Sequence, residues 1–96
     1  MAEMTQQNFR DQVKQVLEDG LRLVGIDGSV DVEEVPRTRM CRVYIVTPNR
    51  DSLTPTEWQK LTSRLIRDRL GEEGELRIGM IYTVTPEELA SYRADE

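Results

Sequence analysis

The chain has 96 residues, of which 38% are hydrophobic and 32% are charged, and its formal net charge at pH 7 is −5. This composition predicts one soluble globular domain over residues 1–96 rather than a disordered tail. The sequence contains no histidine and a single cysteine, Cys41. It therefore lacks the imidazole and thiolate groups of the usual zinc sites, catalytic triads and Cys-His pairs. We expect a binding module without cofactor or metal, not an enzyme.

The expected location is the cytoplasm. A single cysteine cannot form an intrachain disulfide, which favours a reducing compartment. Residues 1–7 have neither the basic nor the apolar segment of a signal peptide, and no apolar run approaches the roughly 20 residues that a membrane span needs. Because the net charge is negative, any contact with RNA would have to be made by a local basic patch.

The first two predicted elements are a helix and an edge strand. Asn8 is a candidate N-cap, and apolar residues over 9–17 recur at helical spacing. The helix ends either at Gly20, through a left-handed cap, or further on near Val24. After a turn, residues 30–33 alternate between valine and acidic residues, which predicts an edge strand with one solvated face.

The next strand is predicted to be central in the sheet. Cys41, Val43 and Ile45 fill one face of it, while Tyr44 and Val46 keep the other face largely apolar. A strand that is apolar on both faces is typical of the middle of a sheet. Cys41 is expected to pack in the core as a small hydrophobic residue rather than to act as a nucleophile or a metal ligand.

The strongest local prediction is the start of the second helix. The segment Leu53-Thr54-Pro55-Thr56-Glu57-Trp58 places Thr54 at the N-cap, Pro55 at the first helical position and Glu57 where it closes a capping box. Gly71 is predicted to end this helix. Its buried face is expected to consist of Trp58, Leu61, Leu65 and Ile66.

The last strand is predicted from five apolar residues with a period of two. These residues are Leu76, Ile78, Met80, Tyr82 and Val84, and they are expected to share one face. Thr85 and Glu88 then repeat the capping pattern, which predicts a short C-terminal helix. The motif Tyr-x-Val-Thr-Pro occurs at 44–48 and again at 82–86, and we interpret it as two strand exits of similar sequence.

The element order is α-β-β-α-β with a short C-terminal helix. The link between the second and third strands contains a helix, so a parallel, right-handed crossover is expected. This predicts an α/β (α+β) two-layer sandwich in which a mixed three-stranded sheet has both long helices on one face. The same order is that of the type II KH-like arrangement, which hosts many functions.

The candidate binding residues are Lys60, Arg64 and Arg67, which are spaced to form one stripe on the second helix. The stripe has two interpretations: it contacts phosphate or an acidic partner surface, or it is a solvated helix face with cations near the helix C-terminus. The acidic runs at 31–34 and 71–75 lack the alternation of oxygen ligands in calcium loops and are interpreted as solvated carboxylates.

Several segments resemble the N-terminal domain of the ribosome maturation factor RimP family. They are Arg42-Val43-Tyr44-Ile45, Pro48, Leu53-Thr54 and Ser63-Arg64-Leu65. The chain departs from that family at residues 85–88, where Thr-Pro-Glu-Glu replaces a Ser-Pro-Gly-rich exit, and the family's second domain has no counterpart within residues 1–96. The resemblance implies a KH-like fold and a non-enzymatic, ribosome-associated or ribonucleoprotein-binding role, with a protein or ribonucleoprotein partner and only patch-limited RNA contact.

The alternative resemblance is to BolA-like proteins, which share the element order. It rests on residues 43–46, on Ser52-Leu53 and on the closing segment 85–88. The histidine that this family carries on its last strand falls at about Arg77 in this chain. The resemblance implies a regulatory partner of a redox protein that lacks the cluster-ligand histidine.

Overall fold

The computed structural model describes residues 6–94, with side chains from residue 8 onward. In chain order the elements are α1 (Gln6–Leu23), β1 (Ser29–Glu34), β2 (Cys41–Val46), a 3-10 turn (Arg50–Ser52), α2 (Pro55–Leu76), β3 (Ile78–Val84) and α3 (Pro86–Ala94). The predicted element order is confirmed. No helix in the described range is long and apolar enough to cross a bilayer.

The sheet has the predicted mixed topology. Its strand order is β1-β2-β3, with β2 antiparallel to β1 and parallel to β3. The strand that is apolar on both faces is therefore central, and its residues Val43 and Ile45 are fully buried. The parallel pairing follows from the crossover through α2. A connection of that length can return the chain to the end of the sheet at which β2 begins, so β3 runs in the same direction as β2.

Both long helices cover one face of the sheet. Val30 of β1 pairs with Ile45 of β2, and both side chains join residues of α1 and α2 in one apolar cluster. The buried members of this cluster are Phe9, Val13, Leu17, Leu21, Val30, Cys41, Val43, Ile45, Trp58 and Ile66. The predicted two-layer α/β sandwich is thereby confirmed, with the core between the helices and the sheet.

Helix α1 is longer than its predicted N-cap implied. It begins at Gln6, so Asn8 lies inside the helix, because glutamines are good helix formers and extend it toward the N-terminus. The helix also continues past Gly20 to Leu23, the longer of the two alternatives. Gly20 instead allows close packing of the helices, since a Cβ there would lie 2.5 Å from a methyl carbon of Leu65.

The residue that ends α1 is Gly25. Its φ of +77° lies in the left-handed region, which glycine adopts without steric cost. The Gly25 N–H donates to the carbonyl of Arg22 at 3.1 Å, and the Ile26 N–H donates to the carbonyl of Leu21 at 2.9 Å. These two bonds form a Schellman motif, which satisfies carbonyls that the helix end would otherwise leave unpaired.

Strand β3 departs from the predicted pattern because it contains a bulge. Cys41 pairs with Ile78, whereas the following residue of β2 pairs with Met80, so Gly79 is the extra residue. Ile78 therefore faces the helices, while Met80 lies on the opposite face and is 53% exposed. Leu76 is the last residue of α2 and is 74% exposed. The prediction that the five apolar residues share one face is wrong.

Candidate functional site

Helix α2 carries the candidate residues, and a complete capping box fixes its start. The Thr54 hydroxyl accepts the Glu57 N–H at 3.2 Å, and the Glu57 carboxylate accepts the Thr54 N–H at 2.9 Å. Pro55 occupies the first helical position. The predicted N-terminus of α2 is confirmed. Because side chains follow one another around a helix at a fixed angle, the position of this first residue determines which face of α2 each later side chain occupies.

One face of α2 packs onto the sheet through residues four apart. Trp58, Thr62 and Ile66 are buried, whereas the predicted members Leu61 and Leu65 are only half-buried beside them. The Thr62 hydroxyl donates to the carbonyl of Trp58 at 2.9 Å, so its polar group is satisfied inside the core.

The three cations of the stripe are exposed on the other side of α2, as their spacing predicted. Arg67, however, forms an ion pair with Glu75 at 2.8 Å. Lys60 and Arg64 form no ion pair with any residue in the described range. The stripe is thus divided into one cation that forms an ion pair and two that do not.

A kink at Gly71 brings Arg67 and Glu75 together. In a straight helix, residues eight apart are separated by about 12 Å along the axis. Gly71 leaves the helical conformation with φ 74° and ψ −179°, and the segment after it turns back along α2. The helix that begins at Pro55 is therefore interrupted at Gly71, where it was predicted to end, and the acidic run that follows forms a short further helical segment.

Glu75 is held by two donors. Arg67 donates to one carboxylate oxygen, and the Ser63 hydroxyl donates to the other at 2.6 Å. The Arg67 hydrogen bond first, and the Ser63 hydrogen bond second, hold the pKa of Glu75 below its usual range. The carboxylate therefore stays ionised and fixed in place at neutral pH.

A groove of about 520 Å³ lies between α2 and β3. The helix side of the groove includes Trp58, Gln59 and Ser63, and the strand side includes Ile81 and Thr83. The sequence does not reveal this groove, because its two walls, residues 50–66 and 75–83, come together only when α2 packs on the sheet. One signal in the sequence could have indicated the groove: residues 78–84 include no charged residue. This is unusual for a strand at the edge of a sheet, which is where β3 lies.

Charged residues close both ends of the groove. At one end, Arg50 forms ion pairs with Asp51 and with Glu88 of α3. The carbonyl of Arg50 also accepts the indole N–H of Trp58 at 2.7 Å, which ties the 3-10 turn to α2. At the other end lies Glu75, already paired with Arg67. Between them the lining is mixed, with Leu53 and Ile81 beside Gln59 and Thr83.

On the sheet face opposite the two long helices, Tyr44 and Tyr82 stack with ring centroids 5.4 Å apart. They are directly paired in the parallel register, as are Val46 and Val84. The recurrence of Tyr-x-Val-Thr-Pro thus places like residues side by side at the ends of two adjacent strands. The two tyrosine rings cover one face of each other.

Cys41 is fully buried in the core, as predicted. Desolvation by burial raises the pKa of its thiol, which keeps it in the less nucleophilic protonated form. The guanidinium of Arg77 lies 4.0 Å from the ring centroid of Phe9. Among residues 6–94 there is no group of three or more metal-ligating side chains.

The acidic residues of β1 take part in ion pairs. Glu33 lies 3.6 Å from Arg42, and Asp31 pairs with Arg93 of α3. These pairs connect neighbouring elements at the surface.

No protein-family model matches the chain, and a search of curated proteins also finds no match.

Proposed function

We propose that this protein is a non-enzymatic, cytoplasmic binding module for a ribonucleoprotein, with the ribosome or an assembling ribosomal subunit as its first candidate partner. The observation that carries the proposal is the pair Lys60 and Arg64. Both side chains are exposed on the outer face of α2, and neither forms an ion pair with a carboxylate of the described residues. The resemblance of the sequence to the RimP N-terminal domain supports the same partner class.

The electrostatics favour a limited contact. The chain as a whole carries a charge of −5, so it is repelled by a bare nucleic acid backbone at long range. Lys60 and Arg64 can still contact a few phosphates or an acidic protein surface at short range. A ribonucleoprotein offers both. We therefore propose that the protein surface of the partner supplies most of the binding and that direct contact with RNA is restricted to this pair.

Ribosome co-sedimentation at low and moderate salt tests the proposal. The double variant Lys60→Glu, Arg64→Glu should leave the ribosomal fraction, and binding of the wild type should weaken as salt rises. The matched control is Lys14→Glu, Arg69→Glu, which makes the same change of charge at exposed positions that form no ion pair with residues 8–94. This control should remain bound. Because all four positions are exposed, unfolding free energies should change by less than about 0.5 kcal/mol per substitution.

Two results would contradict the proposal. If the wild type is missing from ribosomal fractions at both salt concentrations, the ribosome is not the partner. If both double variants lose binding equally, the net charge of the protein is responsible rather than the pair Lys60 and Arg64. Titration with a short single-stranded RNA separates the two parts of the contact, since weak binding to the RNA alone is expected.

A further inference from the structure

Helix α3 lies on the face of the sheet opposite α1 and α2. It follows β3 at one edge of the sheet, and its residue Arg93 forms an ion pair with Asp31 of β1 at the other edge. The neighbour of Asp31, Val30, points into the core, so Asp31 points to the opposite face. A helix of nine residues is about 13 Å long, which is enough to cross β2 from one edge strand to the other.

The burial of Val84 shows what α3 covers. Val84 is buried, but it is not a member of the apolar cluster between the sheet and the two long helices. It lies on the face of the stacked tyrosines, next to Val46 in the parallel register. Of the described elements, α3 packs against β3 on this face, and its residue Leu89 occupies the helix position that typically contacts the residue before the N-cap, here Val84. The burial of Val84 therefore depends on α3.

Ion pairs at its two ends, rather than a buried apolar face, attach α3 to the domain. None of its residues is buried, and only Glu88 and Leu89 are half-buried. In its first turn, Glu88 pairs with Arg50 of the 3-10 turn, and in its last turn Arg93 pairs with Asp31. These four side chains are between 36% and 50% exposed. Exposed ion pairs of this kind are individually weak and are screened by salt.

Detachment of α3 and loss of its helical structure are one event. Isolated helices shorter than about 12–15 residues are marginal in water, and α3 has nine residues. Once its contacts with the sheet break, the segment therefore unfolds as well. The buried members of the apolar cluster lie in α1, α2 and the three strands, so the core does not require α3. Such local opening can occur while the rest of the domain stays folded.

We propose that α3 is a detachable strap: the ion pairs Arg50–Glu88 and Asp31–Arg93 hold it on the sheet, and its release as one unit uncovers Val84 and the neighbouring Val46. Ionic strength controls the release, because both fastenings are exposed ion pairs. The protein thus has an apolar surface that is available only while the strap is open. This inference is independent of the ribonucleoprotein proposal, since it concerns the face of the molecule opposite the outer face of α2 and its test contains no ribosome.

Native-state amide hydrogen exchange, followed residue by residue by NMR, tests the strap. The Leu89 N–H, which donates to the carbonyl of Thr85 at 3.0 Å, and the amides of residues 90–92 should share one opening equilibrium. They should exchange faster than the amide of Val43 in the central strand. In the wild type, raising the salt concentration to about 1 M, where the Debye length is about 3 Å, should accelerate exchange in α3 but not at Val43.

The double variant Asp31→Asn, Arg50→Gln removes both partners of α3 without changing the net charge or the sequence of the helix. Exchange at Leu89 should become about two- to fivefold faster for each lost ion pair, and the response to salt should largely disappear. The matched control is Glu33→Gln, Arg64→Gln, which is also neutral overall and breaks an ion pair in β1 that does not involve α3. Its exchange in α3 should equal that of the wild type.

A thiol at the covered position measures the uncovering itself. Val84→Cys should be labelled by a maleimide several times faster when combined with Asp31→Asn, Arg50→Gln than when combined with the control pair, while Cys41 in the same chain stays unlabelled. The exchange experiment does not need this substitution, so it remains valid if Val84→Cys does not fold.

Other outcomes would overturn the proposal. Unchanged exchange in α3 of the double variant would mean that the ion pairs do not hold the helix. Exchange rates that rise steadily from Leu89 toward Ala94, with no shared opening, would show fraying instead of release as a unit. If Val43 accelerates as much as Leu89, the whole domain unfolds and α3 is not a separate strap. Equal acceleration in the control pair would assign the effect to general loss of surface charge.

Discussion

Arg67 and Glu75 form a 2.8 Å ion pair across the kink of a single helix. This contact removes one cation from the stripe and at the same time closes one end of the groove between α2 and β3. The side chain of Arg67 remains 58% exposed while that of Glu75 is 28% exposed. The pair thus sets how much positive charge α2 presents to a partner, and its strength is open to direct measurement.

Replacing Glu75 with glutamine should strengthen binding to an anionic partner. Glu75→Gln removes the charge that neutralises Arg67, so the stripe would present three cations instead of two, and the salt dependence of ribosome binding should steepen. An increase in affinity of about two- to fivefold is expected in a co-sedimentation titration.

Glu73→Gln is the matched control, because it makes the same change of charge in the same helical segment, at an exposed position that forms no ion pair within the part of the chain that the structure describes. It should leave the affinity close to that of the wild type. If the two variants bind equally well, Arg67 is not part of the contact and only the net charge matters.

Removing the cap of α2 should destabilise the protein. Thr54→Ala deletes the hydroxyl that accepts the Glu57 N–H, and the loss of an N-cap typically costs about 1 kcal/mol. Urea denaturation should show this decrease in unfolding free energy. Thr56→Ala, at an exposed position two residues later, makes no cap contact and should have a smaller effect. Equal stability of the two variants would mean that the capping box does not hold the helix start.

The elements that could be predicted from sequence are those fixed by local chemistry. The start of α2 depends on Thr54, Pro55 and Glu57, which lie within four residues of one another and bond mutually. The central position of β2 follows from apolar residues on both of its faces, and burial of Val43 and Ile45 confirms it. The start of α2 is determined by interactions within the segment itself. The position of β2 is determined by the hydrophobic effect, which favours burial of both of its faces.

The features that could not be predicted depend on contacts between distant segments or on a small change of backbone conformation. The pairing of Arg67 with Glu75 requires the turn at Gly71, and a glycine there is equally compatible with a simple helix end. The exposure of Met80 follows from one extra residue, Gly79, in the register of β3. The period of two was read correctly as a strand, but a bulge reverses which face each side chain occupies.

Low pH should decrease the unfolding free energy of the protein, partly because it protonates the glutamates of the two capping boxes. The Thr54 main-chain N–H, acting on Glu57, and the Thr85 main-chain N–H, acting on Glu88, hold the pKa of each carboxyl below its usual range. Because each folded-state pKa is lower than the unfolded one, the stabilisation is fully present above the unfolded pKa, about 4.3, and is lost as the pH falls through the folded pKa.

Glu57→Gln tests this origin, since the amide oxygen can still accept a hydrogen bond but does not titrate. The variant should lose less stability than the wild type when urea denaturation is repeated between about pH 6 and pH 3. Glu87→Gln removes a carboxylate from the start of α3 without removing a cap contact. Between about pH 6 and pH 3 its unfolding free energy should therefore decrease as much as that of the wild type. An unaltered pH profile for Glu57→Gln would show that its carboxylate does not contribute.

The last prediction concerns the only thiol in the sequence. Cys41 is completely buried, and burial raises its pKa. Both effects reduce access to the reactive thiolate, so a thiol reagent should label the native protein much more slowly than the protein in denaturant. Replacing Cys41 with alanine leaves a small cavity between the sheet and the helices. This change should cost of order 1 kcal/mol or more in urea denaturation without altering partner binding.

A variant that combines Cys41→Ala with Thr56→Cys controls for the reagent, because it presents a single thiol at an exposed position on the first turn of α2. This thiol should be labelled rapidly in the native state. If the wild type is labelled at a comparable rate, or if Cys41→Ala abolishes ribosome binding while the protein remains folded, Cys41 contributes to function and not only to the core. Slow labelling together with unchanged binding would confine its role to packing against Val43 and Ile45.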